Sequence, residues 1–233
     1  TFGAAYTFGR AIDRHSTATP GGVQQPIDVH APLSQNEGPS DFDVRHKLAV
    51  SANYRLPSPS GGAARAILGG WQVGGILIAQ TGTPYTVFCG RGFVPVRNAA
   101  GAIVGTSGCD WNADGFNNDR PNVPAFGDAK SGSNDDFLTG LFRAADFPAP
   151  GLGQVGTLGR NTFRGPSYFN VDVALIKSFR ITGTDVQLRL ESFNLFNNTN
   201  LFNPVNDLSN PLFGRSVEAL PGRIVQISGR VAF

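Results

Sequence analysis

The last eleven residues, Arg223-Ile-Val-Gln-Ile-Ser-Gly-Arg-Val-Ala-Phe233, alternate apolar and polar side chains and end on an aromatic. A strand turns successive side chains to opposite faces. Val225, Ile227, Gly229, Val231 and Phe233 therefore share one face, while Gln226, Ser228 and Arg230 share the other. One face suits lipid and the other suits water.

The same period recurs upstream. In 46–56, Leu48, Val50, Ala52, Tyr54 and Leu56 oppose Lys47, Ala49, Ser51, Asn53 and Arg55. Phe169, Val171, Val173 and Leu175 oppose Asn170, Asp172 and Ala174, and Val186, Leu188 and Leu190 oppose Gln187, Arg189 and Glu191. Charges on one face of every strand are costly in lipid and ordinary in a wet or plugged lumen. A soluble antiparallel sheet with one solvated face has the same period, so alternation leaves both fold classes open.

Composition and spacing narrow the choice. No apolar run approaches the roughly 20 residues of a membrane helix, so this chain can cross a bilayer only as strands. Six strands are expected, at about 1–11, 45–56, 71–88, 168–181, 185–196 and 223–233. Their connections alternate in length. Segments 12–44, 89–167 and 197–222 are long and rich in Gly, Asn, Asp and Pro, whereas 57–70 and 182–184 are short. Transmembrane barrels pair long extracellular loops with short periplasmic turns. The fold class expected is thus all-β: an antiparallel meander of about six strands from a transmembrane β-barrel, residues 1–233 forming a single segment. A helical turn fits 63–68 within the first short connection.

The net charge of +2 with 15% charged residues gives no reason to expect nucleic acid or an acidic partner. The chain contains no Met, and Thr1-Phe-Gly-Ala-Ala-Tyr-Thr-Phe8 reads as strand interior rather than a signal peptide. It is read as a mature product or a piece of something longer.

Four motifs carry a family resemblance. They are Ser40-Asp-Phe-Asp-Val-Arg-His46, Leu68-Gly-Gly-Trp-Gln-Val-Gly-Gly-Ile76 with Gln80-Thr-Gly-Thr-Pro-Tyr-Thr86, Gly159-Arg-Asn-Thr-Phe-Arg-Gly-Pro166, and Glu191-Ser-Phe-Asn-Leu-Phe-Asn197. Together they resemble the C-terminal barrel of TonB-dependent outer-membrane receptors, nearest the Oar-like group with a carboxypeptidase-regulatory-like domain. The resemblance implies a barrel of about 22 strands, this chain supplying the last six. It further implies uptake of a scarce ligand across the bacterial outer membrane. The partners would be lipid, the remaining strands and the plug, with TonB reached only through that plug. A rival from another class is a self-assembling protein at the cell surface or outside it, in which copies pair at open strand edges.

Candidate sites are few. Gly151-Leu-Gly-Gln-Val-Gly156 matches a dinucleotide fingerprint, but no strand and helix frame it. His15, His30 and His46 are isolated, and no nucleophile elbow or zinc-protease motif occurs. Neither enzymatic activity nor an organic cofactor is expected. Asn197-Asn-Thr199 formally matches a glycosylation acceptor and reads as a polar loop start. Trp71, Tyr85, Phe88, Phe193 and Phe196 fall near expected strand ends, where an interfacial girdle and ordinary packing use the same residues.

Asp110-Trp-Asn-Ala-Asp-Gly-Phe-Asn-Asn-Asp119 opens like a calcium loop. Asp110, Asn112 and Asp114 would supply side-chain oxygens, Phe116 its carbonyl, and Gly115 the sharp turn. Pro121 stands at the twelfth position in place of the bidentate Glu, so Asp119 would have to substitute. The alternative is an Asx-turn loop whose side chains satisfy local backbone groups. Cys89 and Cys109 both lie in the longest loop, the second directly before Asp110, and an exported chain meets an oxidising compartment. A bridge between them would contribute about 3 kcal/mol in the chain-entropy model. Non-reducing mass analysis should find the chain two hydrogens lighter than the dithiol, and an unchanged mass after reduction would reject the bridge.

Overall fold

The computed structural model describes residues 1–16, 33–91, 95–106, 108–116, 119–127 and 132–233. Six long strands form one sheet: β1 (Phe2–Phe8), β4 (His46–Arg55), β5 (Trp71–Gln80), β10 (Tyr168–Ile181), β11 (Thr184–Phe193) and β12 (Ile224–Ala232). Their order in the sheet is their order in the chain, and every neighbouring pair is antiparallel. The three long connections therefore leave from one end and the two short ones from the other. The sheet is open, with β1 and β12 at its edges.

Register turns six local alternations into one surface. Tyr6 pairs with Leu48, Val50 with Leu77, Val73 with Leu175, Leu175 with Leu190, and Leu190 with Ile227. Directly paired residues share a face, so these side chains make a continuous apolar surface. A slip of one residue in any pair would break it. On the opposite face Asn170 bonds Asp172 at 2.8 Å and Arg189 pairs with Glu191 at 2.9 Å. Strands of 9–14 residues in β4, β5, β10, β11 and β12 meet the length a tilted transmembrane strand needs.

The apolar surface is not a core. Phe2 is 75% exposed and Ile227 79%. The buried core lies instead among the long loops: Tyr85, Val87, Phe137, Leu141, Phe142, Phe147, Leu158, Phe163 and Phe213. Phe163 stands at its centre, 4.8 Å between centroids from Phe142, with Phe147 edge-on at 5.8 Å.

Short elements frame that core. They are β2 (Ile12–Asp13) with β3 (Gly38–Pro39), β6 (Pro84–Tyr85) with β9 (Phe163–Arg164), and β7 (Pro95–Arg97) with β8 (Ile103–Thr106). Helix α2 (Asn134–Thr139) starts at Ser133, whose hydroxyl accepts from the Asp136 amide while Asp136 accepts from the Ser133 amide. This capping box fixes the turn that buries Phe137. Helix α1 (Gly62–Leu68) occupies the first short connection, close to the expected 63–68.

Three expected boundaries move, among them that of the 185–196 strand, which stops at Phe193. The strand expected over 71–88 stops at Gln80, because Gly82 lies against the Gly165 and Pro166 backbone so closely that a Cβ would sit 1.9 Å from the Gly165 carbonyl oxygen. The chain re-enters pairing as β6, with β9 instead of β10. The strand expected over 1–11 ends at Phe8, and Ile12 starts the separate β2–β3 pair. Tyr85 belongs to the loop core, and Phe88 is half-buried beside Asp207. Phe163→Ala should cost the loop assembly about 3–5 kcal/mol, read as faster proteolysis of 89–167 while the strands of the main sheet stay protected.

Candidate functional site

The loop end of the sheet is the candidate site, and charged residues hold it together. Arg160 is 7% exposed. Its guanidinium reaches the carboxylates of Asp13 and Asp41, the Ser16 hydroxyl, and the carbonyls of Asn36 and Gly38. Next to it the Asn161 amide donates to Asp41 Oδ1 and the Pro39 carbonyl, and Thr86 Oγ1 donates to Asn161 Oδ1. Arg164 clasps Asp43, which is 2% exposed and also accepts from the Ala11 amide and from Arg45.

Two of the sequence motifs thus bind each other. Ser40–His46 contributes Asp41 and Asp43, and Gly159–Pro166 contributes Arg160, Asn161 and Arg164. A third joins them through the β6–β9 pair and Gly82. In the fourth, Asn194 adopts the left-handed conformation and its amide donates to Asp172 Oδ1, ending β11 against β10. No rule local to the sequence links Asp41 to Asn161. The available signal was complementarity, with two aspartates in one motif and two arginines in the other.

The ionisation of these groups follows their surroundings. Burial alone would push Asp13 and Asp43 up. Hydrogen bonds from Ser40 and Ser16 with the Arg160 charge, and from the Ala11 amide with Arg164 and Arg45, instead hold both below the usual carboxylate range.

The segment expected to bind calcium folds as a tight Asx loop. Asp110 accepts from the amides of Asp114 and Gly115, and Asp119 Oδ2 from those of Trp111 and Asn112 at 2.6 and 2.9 Å. Asn112 Oδ1 accepts from the Asp114 amide, Asp114 Oδ1 from that of Phe116, and Gly115 takes the positive φ that its position requires. Asn117 and Asn118 lie outside the described residues, as does His30. Among the described residues no three His, Cys, Asp or Glu side chains form a group that could hold a metal ion. Burial, with the charges of Asp114 and Asp110 nearby, pushes Asp119 up to about 6 against the two amides that lower it.

Cys89 and Cys109 are disulfide-bonded as expected, and the Cys89 amide donates to the Asp119 carbonyl. The bridge thereby closes the Asx loop onto the segment that leaves the buried core. His46 Nδ1 lies 2.8 Å from the Tyr6 hydroxyl and its ring sits tilted against Phe8, 5.1 Å between centroids, a packing role at the end of the sheet. A cleft of about 440 Å³ opens among the loops between Thr139, Arg143, Ser209, Asn210 and Arg215.

A family model described as an outer membrane beta barrel domain matches residues 1–226. The chain belongs to that family. Its place is accordingly the bacterial outer membrane, and the apolar face of this barrel domain is its lipid face. No curated protein and no solved structure matches the chain.

Opposite pKa shifts give the loop assembly of the barrel domain a stability maximum. The lowered Asp43 contributes stability present above its ordinary value of 3.8 and lost as pH falls toward its folded value. The raised Asp119 contributes stability that is full below 3.8 and lost as pH rises through about 6. Trp111 fluorescence in a Trp71→Phe background should report greater resistance to denaturant at pH 5 than at pH 7. Asp119→Asn should remove that difference and leave the acid limb intact.

Proposed function

We propose that this barrel domain is the C-terminal part of a TonB-dependent receptor that imports a scarce ligand across the outer membrane. The observation that carries the reading is an open six-stranded sheet with a lipid face, a charged inner face and two unpaired edges. In hydrocarbon each unsatisfied backbone group costs several kcal/mol, so β1 and β12 require further strands. A receptor barrel would supply them, and its plug would fill a lumen lined by Lys47, Arg55, Asp172, Arg189, Glu191 and Arg230. Three of the motifs that resemble the receptor group, and the Gln80–Thr86 part of the fourth, meet at the loop end or terminate strands there. A rigid loop platform, clamped by a buried ionic cluster and a disulfide, suits capture of a ligand from outside. The candidate ligand classes are iron chelates, vitamins, glycans and peptides.

The test is growth of a deletion strain on each of these nutrient classes at limiting concentration. A defect on one class is expected, restored by the complete gene only when TonB is present. Restoration without TonB, or recovery of the polypeptide as detergent-free filaments paired at β1 and β12, would overturn the proposal.

A further inference from the structure

Helix α1 has seven residues and none of them is buried. A helix this short has no stability of its own in water, yet its C-terminal half is clamped in place. The Trp71 indole nitrogen donates to the Ile67 carbonyl at 2.8 Å. Lys177 Nζ donates to the carbonyls of Ala66 and Ile67, both at 2.9 Å, and to that of Gly69. A cation thus meets the negative end of the helix dipole and satisfies its terminal carbonyls. The same ammonium lies 5.1 Å from the Trp71 ring centroid.

Both clamping residues belong to the lipid face. Trp71 and Lys177 are register partners in the row that continues as Val73 with Leu175 and Leu77 with Val171. They stand at its short-turn end, where Trp and Lys hold a membrane protein at the headgroup level. The clamp leaves Ile67 67% exposed and Leu68 58% exposed. Arg65, about half a turn round the helix from Ile67, lines a cleft with Ser178, Gln187 and Arg230, three residues of the inner, polar face. The helix therefore lies along the rim, with Arg65 in that cleft, Ile67 on the opposite side of the helix and Leu68 exposed at its end.

We propose that α1 is a lipid-embedded rim anchor, with Ile67 and Leu68 inserted among phospholipid acyl chains at the short-turn boundary of the membrane. Continuity with the lipid face argues for lipid over a protein partner, because the residues that hold the helix are themselves the last row of that face. The anchor fixes the depth at which the barrel sits. The inference uses the outer-membrane placement and not the transport reading.

Spin labels at Ile67→Cys and Leu68→Cys test it, in the complete polypeptide reconstituted into phosphatidylethanolamine and phosphatidylglycerol vesicles. Cys89 and Cys109 are bridged, and any cysteine elsewhere in the complete polypeptide is replaced by Ser so that each label is unique. Leu77→Cys on the lipid face and Ser60→Cys in the turn serve as references. Collision with molecular oxygen relative to a water-soluble nickel chelate should be severalfold higher at positions 67 and 68 than at 60, and should approach that at 77. High nickel accessibility would place the helix in water, and low accessibility to both reagents would place it against protein. Either result overturns the proposal. In a Trp111→Phe background, quenching of Trp71 by brominated lipid should also fall severalfold when Ile67 and Leu68 are both changed to Asp, and unchanged quenching would count against the anchor.

Discussion

Hydrocarbon offers no hydrogen bonds, and the architecture of this barrel domain follows from that. Every N–H and C=O in the spanning segments must find its partner in another strand, and the five antiparallel ladders of the main sheet answer that requirement pair by pair. The ladders also fix register, and register decides which side chains meet lipid. Leu175 opposite both Val73 and Leu190 is one row of a surface that exists only because no strand has slipped.

Apolar residues consequently sit where a soluble protein would not put them. The strands spend theirs on the outer face, so the hydrophobic core has to be built elsewhere. It forms within the long loops, from phenylalanines at 137, 142, 147, 163 and 213. The loops are thereby a packed body seated on the sheet end, tied through Arg160 and Arg164 to the aspartates of 13, 41 and 43. Buried ion pairs give little net stability against an apolar alternative. Their value here is positional: a guanidinium shared by two carboxylates allows one arrangement of three chain segments, and a platform of that kind can present a surface of constant shape.

At the other end of the sheet the short connections obey a different rule. The β10–β11 turn needs only Thr182 and Gly183, both at positive φ. The longer turn carries a helix whose apolar residues face away from the protein. The same solvent that dictates the sheet accounts for that arrangement, since side chains at the rim of a barrel have lipid as a neighbour.

Whatever depends on neighbours along the chain was legible in the residues alone. Two-residue alternation is a property of extended backbone, so β4, β10, β11 and β12 were legible, as were their antiparallel order and the asymmetry of loop lengths. The Cys89–Cys109 bridge was legible from an exported chain with two cysteines in one loop. The tertiary structure alone decided what distant segments do to each other. Thr81-Gly-Thr83 continues the pattern of the strand before it, and only the backbone of Gly165 and Pro166 against Gly82 ends β5 there. The loop segments look like solvated polar chain because Gly, Asn and Asp outnumber their phenylalanines, although 18 Phe is a large number for strands alone. Arg160 meets Asp13 across 147 positions. Period and spacing are short-range quantities, and a contact over that distance is fixed by packing alone.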